Sequence, residues 1–270
     1  MKGKNIMYTF IALSVFVLLL SLSACQPGST DVQTGGKTLV WSDEFDGPAG
    51  SPPNPADWGY EIGYIRNNEL QYYTDRPENA HLDGNGNLVI KALKENYRGG
   101  DYTSASINTL GKHSWKYGRI EMRARLPYSR GIWPAFWGMG NEGAWPASGE
   151  IDIMEMIGGG PGYDNVVYGT AHWDDSGHKE SGSSPFTLPA ANFCDDYHIF
   201  AIEWNAQKIT WYMDETAYKT LDISGEALSE FHQPFYLLLN LAVGGSWPGD
   251  PDETTVFPQE YSIDYVRIYQ

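Results

Sequence analysis

From Gly118 to Pro127 the chain reads GRIEMRARLP, and its side chains change character at every step. Ile120, Met122, Ala124 and Leu126 share one side while Glu121, Arg123 and Arg125 share the other, the period of a strand with one buried face. The pattern recurs. Ile209, Trp211 and Met213 alternate with Thr210 and Tyr212, and the runs 197–204 and 208–214 flank Asn205-Ala206-Gln207 as a hairpin. Residues 235–243 are almost continuously apolar, as in a central strand covered on both faces, and residues 261–269 close the chain as another strand. No stretch carries a long, capped helical period; residues 224–231 have room for a turn or two. Gly and Pro punctuate the strands at short intervals. The sequence therefore predicts an all-β fold, a two-sheet antiparallel sandwich rather than alternating β and α units.

Lys2 and Lys4 precede an apolar run from Ile6 to Leu22, followed by Ser23-Ala24-Cys25. A basic start, an apolar middle and small residues before a cut make residues 1–24 a secretory signal. The run is short for a membrane span. Cysteine directly after the small residues resembles the lipobox of bacterial lipoproteins. Cys25 would then be the lipidated first residue of an exported, membrane-anchored protein; an ordinary signal peptide cut nearby is the alternative. Residues 25–37 are polar and rich in Gly, Ser and Thr, which makes them a flexible tether. Residues 38–270 remain as one domain, of a length common among β sandwiches, with no internal repeat.

The formal charge of −16 becomes −18 once the leader and its two lysines are removed. Such a surface excludes nucleic acid and anionic lipid headgroups as partners and leaves room for a neutral polymer. With Cys25 lipidated only Cys194 remains, so no internal disulfide forms and the core must supply stability. Ten tryptophans and an aromatic content of 14% are more than a core of this size needs. They suit either surfaces on which sugar rings stack or ordinary sandwich packing.

The stretch GEIDIMEMIG, residues 149–158, places three acids in an otherwise apolar strand. Glu150 and Asp152 share a face; Glu155 joins them only if a β-bulge absorbs one residue, for which Met154 is the natural candidate. With the bulge absorbed, Glu150 and Glu155 stand like positions i and i+4, about 13 Å apart at Cα. Side chains leaning together bring the carboxyls to roughly 5 Å, the spacing of a glycosidase that retains anomeric configuration. The solvated face of an edge strand and a calcium site are the other readings of three such acids. Apolar flanks argue for an interior strand, where unpaired carboxylates are costly without a function.

At these residues the sequence resembles glycoside hydrolase family 16, whose signature Glu-x-Asp-x-x-Glu stands here as EIDIME. The bulged form resembles laminarinases, agarases and carrageenases; lichenases usually lack the extra residue. WSDEFDG (41–47), NNELQYYT (67–74), GIWPAFW (131–137), AHW (171–173), LNLAVGGSWPG (239–249) and YSIDYVRIY (261–269) extend the resemblance from about residue 38 to the end, on the laminarinase-like branch. It implies a concanavalin A-like jelly roll with an open cleft on its concave sheet. It also implies Glu150 as nucleophile, Asp152 as its electrostatic helper and Glu155 as acid/base. The expected activity is endo-cleavage of β-1,3-glucan with retention, without a catalytic cofactor, by a monomer. Mixed-linkage glucan or agar as substrate, or a non-catalytic glycan-binding lipoprotein, are the alternatives; an acidic chain disfavours sulfated carrageenan.

Trp133 and Trp137, four apart, share a strand face and would stack on sugar rings or pack in the core. Trp247, in a Gly-rich loop, suits the cleft rim. Asn68 resembles a sugar-hydroxyl contact of the family, and otherwise reads as a turn asparagine. His172 would lie near Asp152 or Glu155, and Asn240, in an apolar run, would need a sugar or backbone partner. His172-Trp-Asp-Asp-Ser-Gly-His178 matches no metal signature, and Asp83-Gly-Asn-Gly-Asn87 reads as a hairpin turn. The resemblance further implies a structural calcium held by the Glu44 and Gly86 carbonyls and Asp264.

Overall fold

The computed structural model describes Gly3, residues 36–182 and residues 184–270. The leader, Cys25 and the tether up to residue 35 lie outside the described residues. Among the described residues, eighteen strands and one 3₁₀ turn, Glu226–His232, are laid out in two sheets.

The first sheet runs Thr216–Asp222, Lys208–Met213, His198–Trp204, Gly118–Arg125, Gln259–Tyr269, Leu88–Tyr97, Gly100–Ser104, Gln71–Tyr73, with Leu39–Asp43 and Ala80–Leu82 as side branches. The second runs His178–Glu180, Val166–Asp174, Glu150–Glu155, Ile132–Gly140, Phe235–Val243, Ser106–Asn108, Gly59–Glu61, with Phe186–Thr187 attached to Val166–Asp174. Pairing is antiparallel except where Gln71–Tyr73 runs parallel to Gly100–Ser104. The expected all-β sandwich is therefore the fold.

The hairpin across Asn205–Gln207 forms, with Trp204 opposite Ile209. Phe235–Val243 is interior, paired with Ile132–Gly140 on one side and Ser106–Asn108 on the other. The turn at residues 83–87 is held by Asp83, whose Oδ1 accepts from the Asn85 and Asn87 amides at 2.7 and 3.0 Å. Between the sheets, Ile120, Met122, Ala124, Ile151, Ile153, Met154, Phe136, Leu239 and Trp211 belong to one buried cluster. The polar side of Gly118–Arg125 is less wet than alternation implies. Glu121 is fully buried and accepts from Arg119 Nε at 2.6 Å, because neighbouring strands carry aromatic and ionic side chains across it.

Candidate active site

The acid strand Glu150–Glu155 lies between Ile132–Gly140 and Val166–Asp174, and the registers build three rows on its outward face. One row is Glu180, His172, Glu150, Met139 and Tyr236. The next is Thr170, Asp152, Trp137 and Leu238, and the third is Tyr168, Glu155, Ala135 and Asn240. The three acids thus occupy consecutive rows, as residues i, i+2 and i+4 of a regular strand would.

A bulge makes this possible. Towards Val166–Asp174, Ile153 and Met154 together oppose Gly169; towards Ile132–Gly140, Met154 is paired with Phe136 and Ile153 has no counterpart. The unmatched residue is therefore Ile153 on that side rather than Met154. Both side chains turn into the core, 2% and 0% exposed. Trp211, from the opposite sheet, closes the bulge from behind, its indole N–H donating to the Asp152 carbonyl at 2.7 Å. Gly169 leaves room for that indole: a Cβ there would stand 2.3 Å from Trp211 Cδ1.

Burial raises all three acids. Glu150 is pushed up to about 8, by desolvation first and by the Asp152 charge second, against the pull of His172, Trp145 and Arg66. Asp152, 3% exposed, is raised by desolvation and eased by a hydrogen bond with Glu150 and the charge of Lys219. Glu155 is raised well above the ordinary carboxylate range by desolvation, then by both neighbouring acids, while the Trp133 N–H donates to its Oε1 at 3.1 Å. Three carboxylates so close cannot all ionise together. His172 Nε2 stands 3.1 Å from Asp152 Oδ2 and 3.8 Å from Glu150 Oε1. That Asp152 oxygen is buried without a well-aligned hydrogen bond.

The raised acids set a sign for stability. A carboxyl that titrates near 4.5 when unfolded and at about 8 when folded binds more protons in the native state across that window. Its contribution is present below the lower value and is lost as pH rises through the upper. Glu150→Gln should therefore raise Tm at pH 8 by at least about 3 °C while changing it little at about pH 3, where the carboxyl is protonated in both states. Equal shifts in calorimetry at both pH values would contradict this.

The acids line a cleft of about 710 Å³. Trp133, half-buried, meets Trp247 edge-on at 5.5 Å, and Trp247 meets Tyr168 at 5.1 Å, forming an aromatic wall beside Glu155. Trp247 is 41% exposed, as a rim residue should be. Trp137 departs from expectation. It is 5% exposed, its N–H donates to Asn240 Oδ1 at 2.7 Å, and the Arg66 guanidinium covers its ring at 5.1 Å. It forms the cleft floor rather than an open stacking face, because Arg66, held by Glu61, lies over its ring. Asn240 lines the cleft at 5% exposure, and its side chain joins Trp137 to the Tyr73 hydroxyl rather than to a backbone group. Asn67 lines the cleft and Asn68 does not. Both have positive φ, 57° and 54°, and the sharp turn points the first asparagine of the pair inward.

Sequence reasoning missed Arg66, Glu69, Trp145, Tyr168, Thr170, His178 and Glu180, all in the cleft lining. Strand period could have found Tyr168 and Thr170, which alternate with His172 on one strand, whereas Glu180 reaches that row only through pairing of a second strand. Arg66, Glu69 and Trp145 stand on loops and left no periodic signal. Trp173 turns inward against Phe231 at 6.1 Å.

Glu44 and Gly86 are neighbours, outside the cleft lining. The Glu44 carbonyl would be 3.9 Å from a Cβ at Gly86, and the pairing of Ile263 with Leu88 carries Asp264 to the same turn. Their carboxylates are engaged: Glu44 takes both ends of Arg267 at 2.9 and 2.8 Å, and Asp264 pairs with Arg123. Two carbonyl oxygens and one carboxylate are a hard-cation donor set, and Asp264 Oδ2 is already engaged by Arg123.

Residues 67–267 match the sequence profile of Glycosyl hydrolases family 16. The chain belongs to this family. Family membership extends over most of its length in individual relatives. A protein named beta-glucanase from Rhodothermus marinus is 43% identical over 256 residues, covering 86% of this chain and 85% of its own. A glucan endo-1,3-beta-glucosidase A1 from Niallia circulans is 36% identical over 89% of this chain and 39% of its own. Among solved structures, the laminarinase catalytic domain of Thermotoga maritima is 45% identical, with a TM-score of 0.76, covering 87% of this chain and 98% of that domain.

Proposed function

We propose that this chain is a retaining endo-β-1,3-glucanase that cleaves internal bonds of laminarin-type glucans by double displacement. The observation that carries the reading is the bulged strand that puts Glu150, Asp152 and Glu155 in consecutive rows on the floor of an aromatic-walled cleft. The names and similarity of the relatives supply the linkage.

In this reaction the Glu150 carboxylate attacks the anomeric carbon while the bond to the leaving oxygen breaks and Glu155 gives its proton to that oxygen. Water then attacks the same carbon, Glu155 takes a proton from it, and Glu150 departs as carboxylate. The chemistry needs no cofactor, since both electron pairs and the travelling proton belong to the carboxyls and water. Burial and two neighbouring charges suit Glu155 to remain protonated at neutral pH until a leaving group needs its proton. Glu150 must be anionic to attack. In the resting site the shared proton sits on Glu150, which donates to the Asp152 carboxylate and lowers it, and that proton must pass to Asp152 for Glu150 to attack.

Wild-type protein incubated with laminarin should release reducing ends, and proton NMR of the first product should show the β anomer. An initial α anomer would rule out retention; activity confined to lichenan or agarose would change the substrate. Absence of cleavage of any glycan would favour a binding lipoprotein, for which a buried triad of acids has no use.

The protein acts as an exported monomer anchored through lipidated Cys25; Cys25→Ser should move it from the membrane to the soluble fraction, and an unchanged distribution refutes the anchor. The Glu44 and Gly86 carbonyls with Asp264 would hold a structural calcium. Calcium added to chelator-treated protein should then raise Tm, and Asp264→Asn should remove that response.

A further inference from the structure

We propose that His178 is a positioning residue that fixes the tautomer of His172, so that Nε2–H of His172 is presented to Asp152 and Glu150. This rests on the reading of those acids as the catalytic pair and its helper. His178 is absent from the signature motifs and lies six positions after His172. A tight turn brings them together: Ser176 and Gly177 have φ of 58° and 121°, the Asp174 carboxylate accepts from the Gly177 amide at 2.8 Å, and Asp174 pairs with His178.

His172 Nδ1 and His178 Nε2 are then 2.9 Å apart. The ring centroids are 5.1 Å apart with planes inclined by only 22°, so the imidazoles lie edge to edge and share a hydrogen bond rather than a face. Trp145 lies against the outer side of His178, ring centroids 4.7 Å apart. The other nitrogen of His172 faces Asp152 and Glu150 at 3.1 and 3.8 Å.

One proton must lie between the two rings, and the carboxylates decide which ring carries it. A lone pair on His172 Nε2 aimed at anionic Asp152 would be repelled, so that nitrogen keeps its hydrogen. Neutral His172 then has an accepting Nδ1, and His178 must donate Nε2–H to it. His178 thus does for His172 what a second hydrogen-bonding group does for any catalytic imidazole: it settles which nitrogen is protonated and holds the ring plane. The other charged groups facing the pair are Glu150, Asp152 and Glu155 on the acid strand, Glu180 opposite His172, and Lys219 acting on Asp152 and Glu180. Arg66 acts on Glu150 from the far side of the cleft.

The test compares His178→Ala and His178→Gln with wild type, using nitrogen-15 NMR of the imidazoles and the kinetics of laminarin hydrolysis. The wild-type His172 should show a protonated Nε2 and an unprotonated Nδ1. His178→Ala should mix the tautomers, lower kcat about tenfold, the worth of one neutral hydrogen bond, and leave KM unchanged. His178→Gln, whose amide can donate to Nδ1, should restore most of the tautomer signal and the rate. A His172 spectrum identical in wild type and His178→Ala overturns the proposal, and so does a glutamine variant as impaired as the alanine variant. If the alanine variant does not fold, the wild-type spectrum and the glutamine variant decide the matter. The spectrum needs no substrate, so an enzyme inactive on every glucan would sink the functional reading while leaving the tautomer assignment to stand or fall alone.

Discussion

Glu150→Gln is expected to lower kcat on laminarin by about 10⁴-fold or more, with KM close to the wild-type value. The amide is nearly the same size and keeps hydrogen-bonding contact with Asp152, so the cleft should still bind glucan. It cannot attack the anomeric carbon, and the first displacement loses its nucleophile. Substrate binding by calorimetry and reducing-end release separate the two effects. The variant should bind laminarin oligosaccharides as wild type does and release nothing within the time of many wild-type turnovers. A fall in kcat of tenfold or less would remove Glu150 from the role of nucleophile. Glu155→Gln should lose about 10²–10⁴-fold, the range of one general acid/base, and should lose less on substrates whose leaving group needs no proton. That difference distinguishes the two glutamates, which composition and burial alone leave alike.

The second large effect is on stability and lies outside the cleft. Trp211→Ala should destabilise the fold by about 3–5 kcal/mol, the range for deleting a buried aromatic side chain. Trp211 is completely buried, and its N–H is the partner of the Asp152 carbonyl where the bulge begins. Trp211→Phe keeps an aromatic ring but leaves that carbonyl without its donor, at about 1–3 kcal/mol. Urea unfolding with matched m-values measures both losses. Because the carbonyl belongs to Asp152, the phenylalanine variant should also lose kcat at temperatures where it remains folded. Wild-type stability and rate in Trp211→Phe would show that the bulge holds its shape without the indole.

Much of the fold was legible because strand period is a local property. The alternation in Gly118–Leu126, the apolar run at 235–243 and the turn residues at 205–207 each specify a strand or a turn without help from distant residues. The acid column was legible for the same reason: a strand with acids at 150, 152 and 155 either has a bulge or buries a carboxylate among apolar side chains. Which residue leaves the ladder was not legible. Ile153 and Met154 are both apolar and both fit the core, and only the opposing Phe136 and Gly169 distinguish them. The cleft aromatics divide in the same way. Trp133 and Trp137 have identical local credentials, yet one lines a wall and the other is roofed by Arg66, which comes from a loop more than sixty residues earlier.

By itself, then, the sequence determined an all-β sandwich, three acids on one strand face and the chemistry those acids suit, because side-chain period and carboxylate spacing are fixed by backbone geometry over a few residues. Tertiary structure decided the rest. It selected Asn67 over Asn68 as the cleft asparagine, turned Trp137 from platform into floor, set Trp211 behind the bulge and folded His178 against His172. Each of those outcomes depends on a contact between residues that belong to different strands or loops, and no periodicity along one segment encodes what a second segment will place against it.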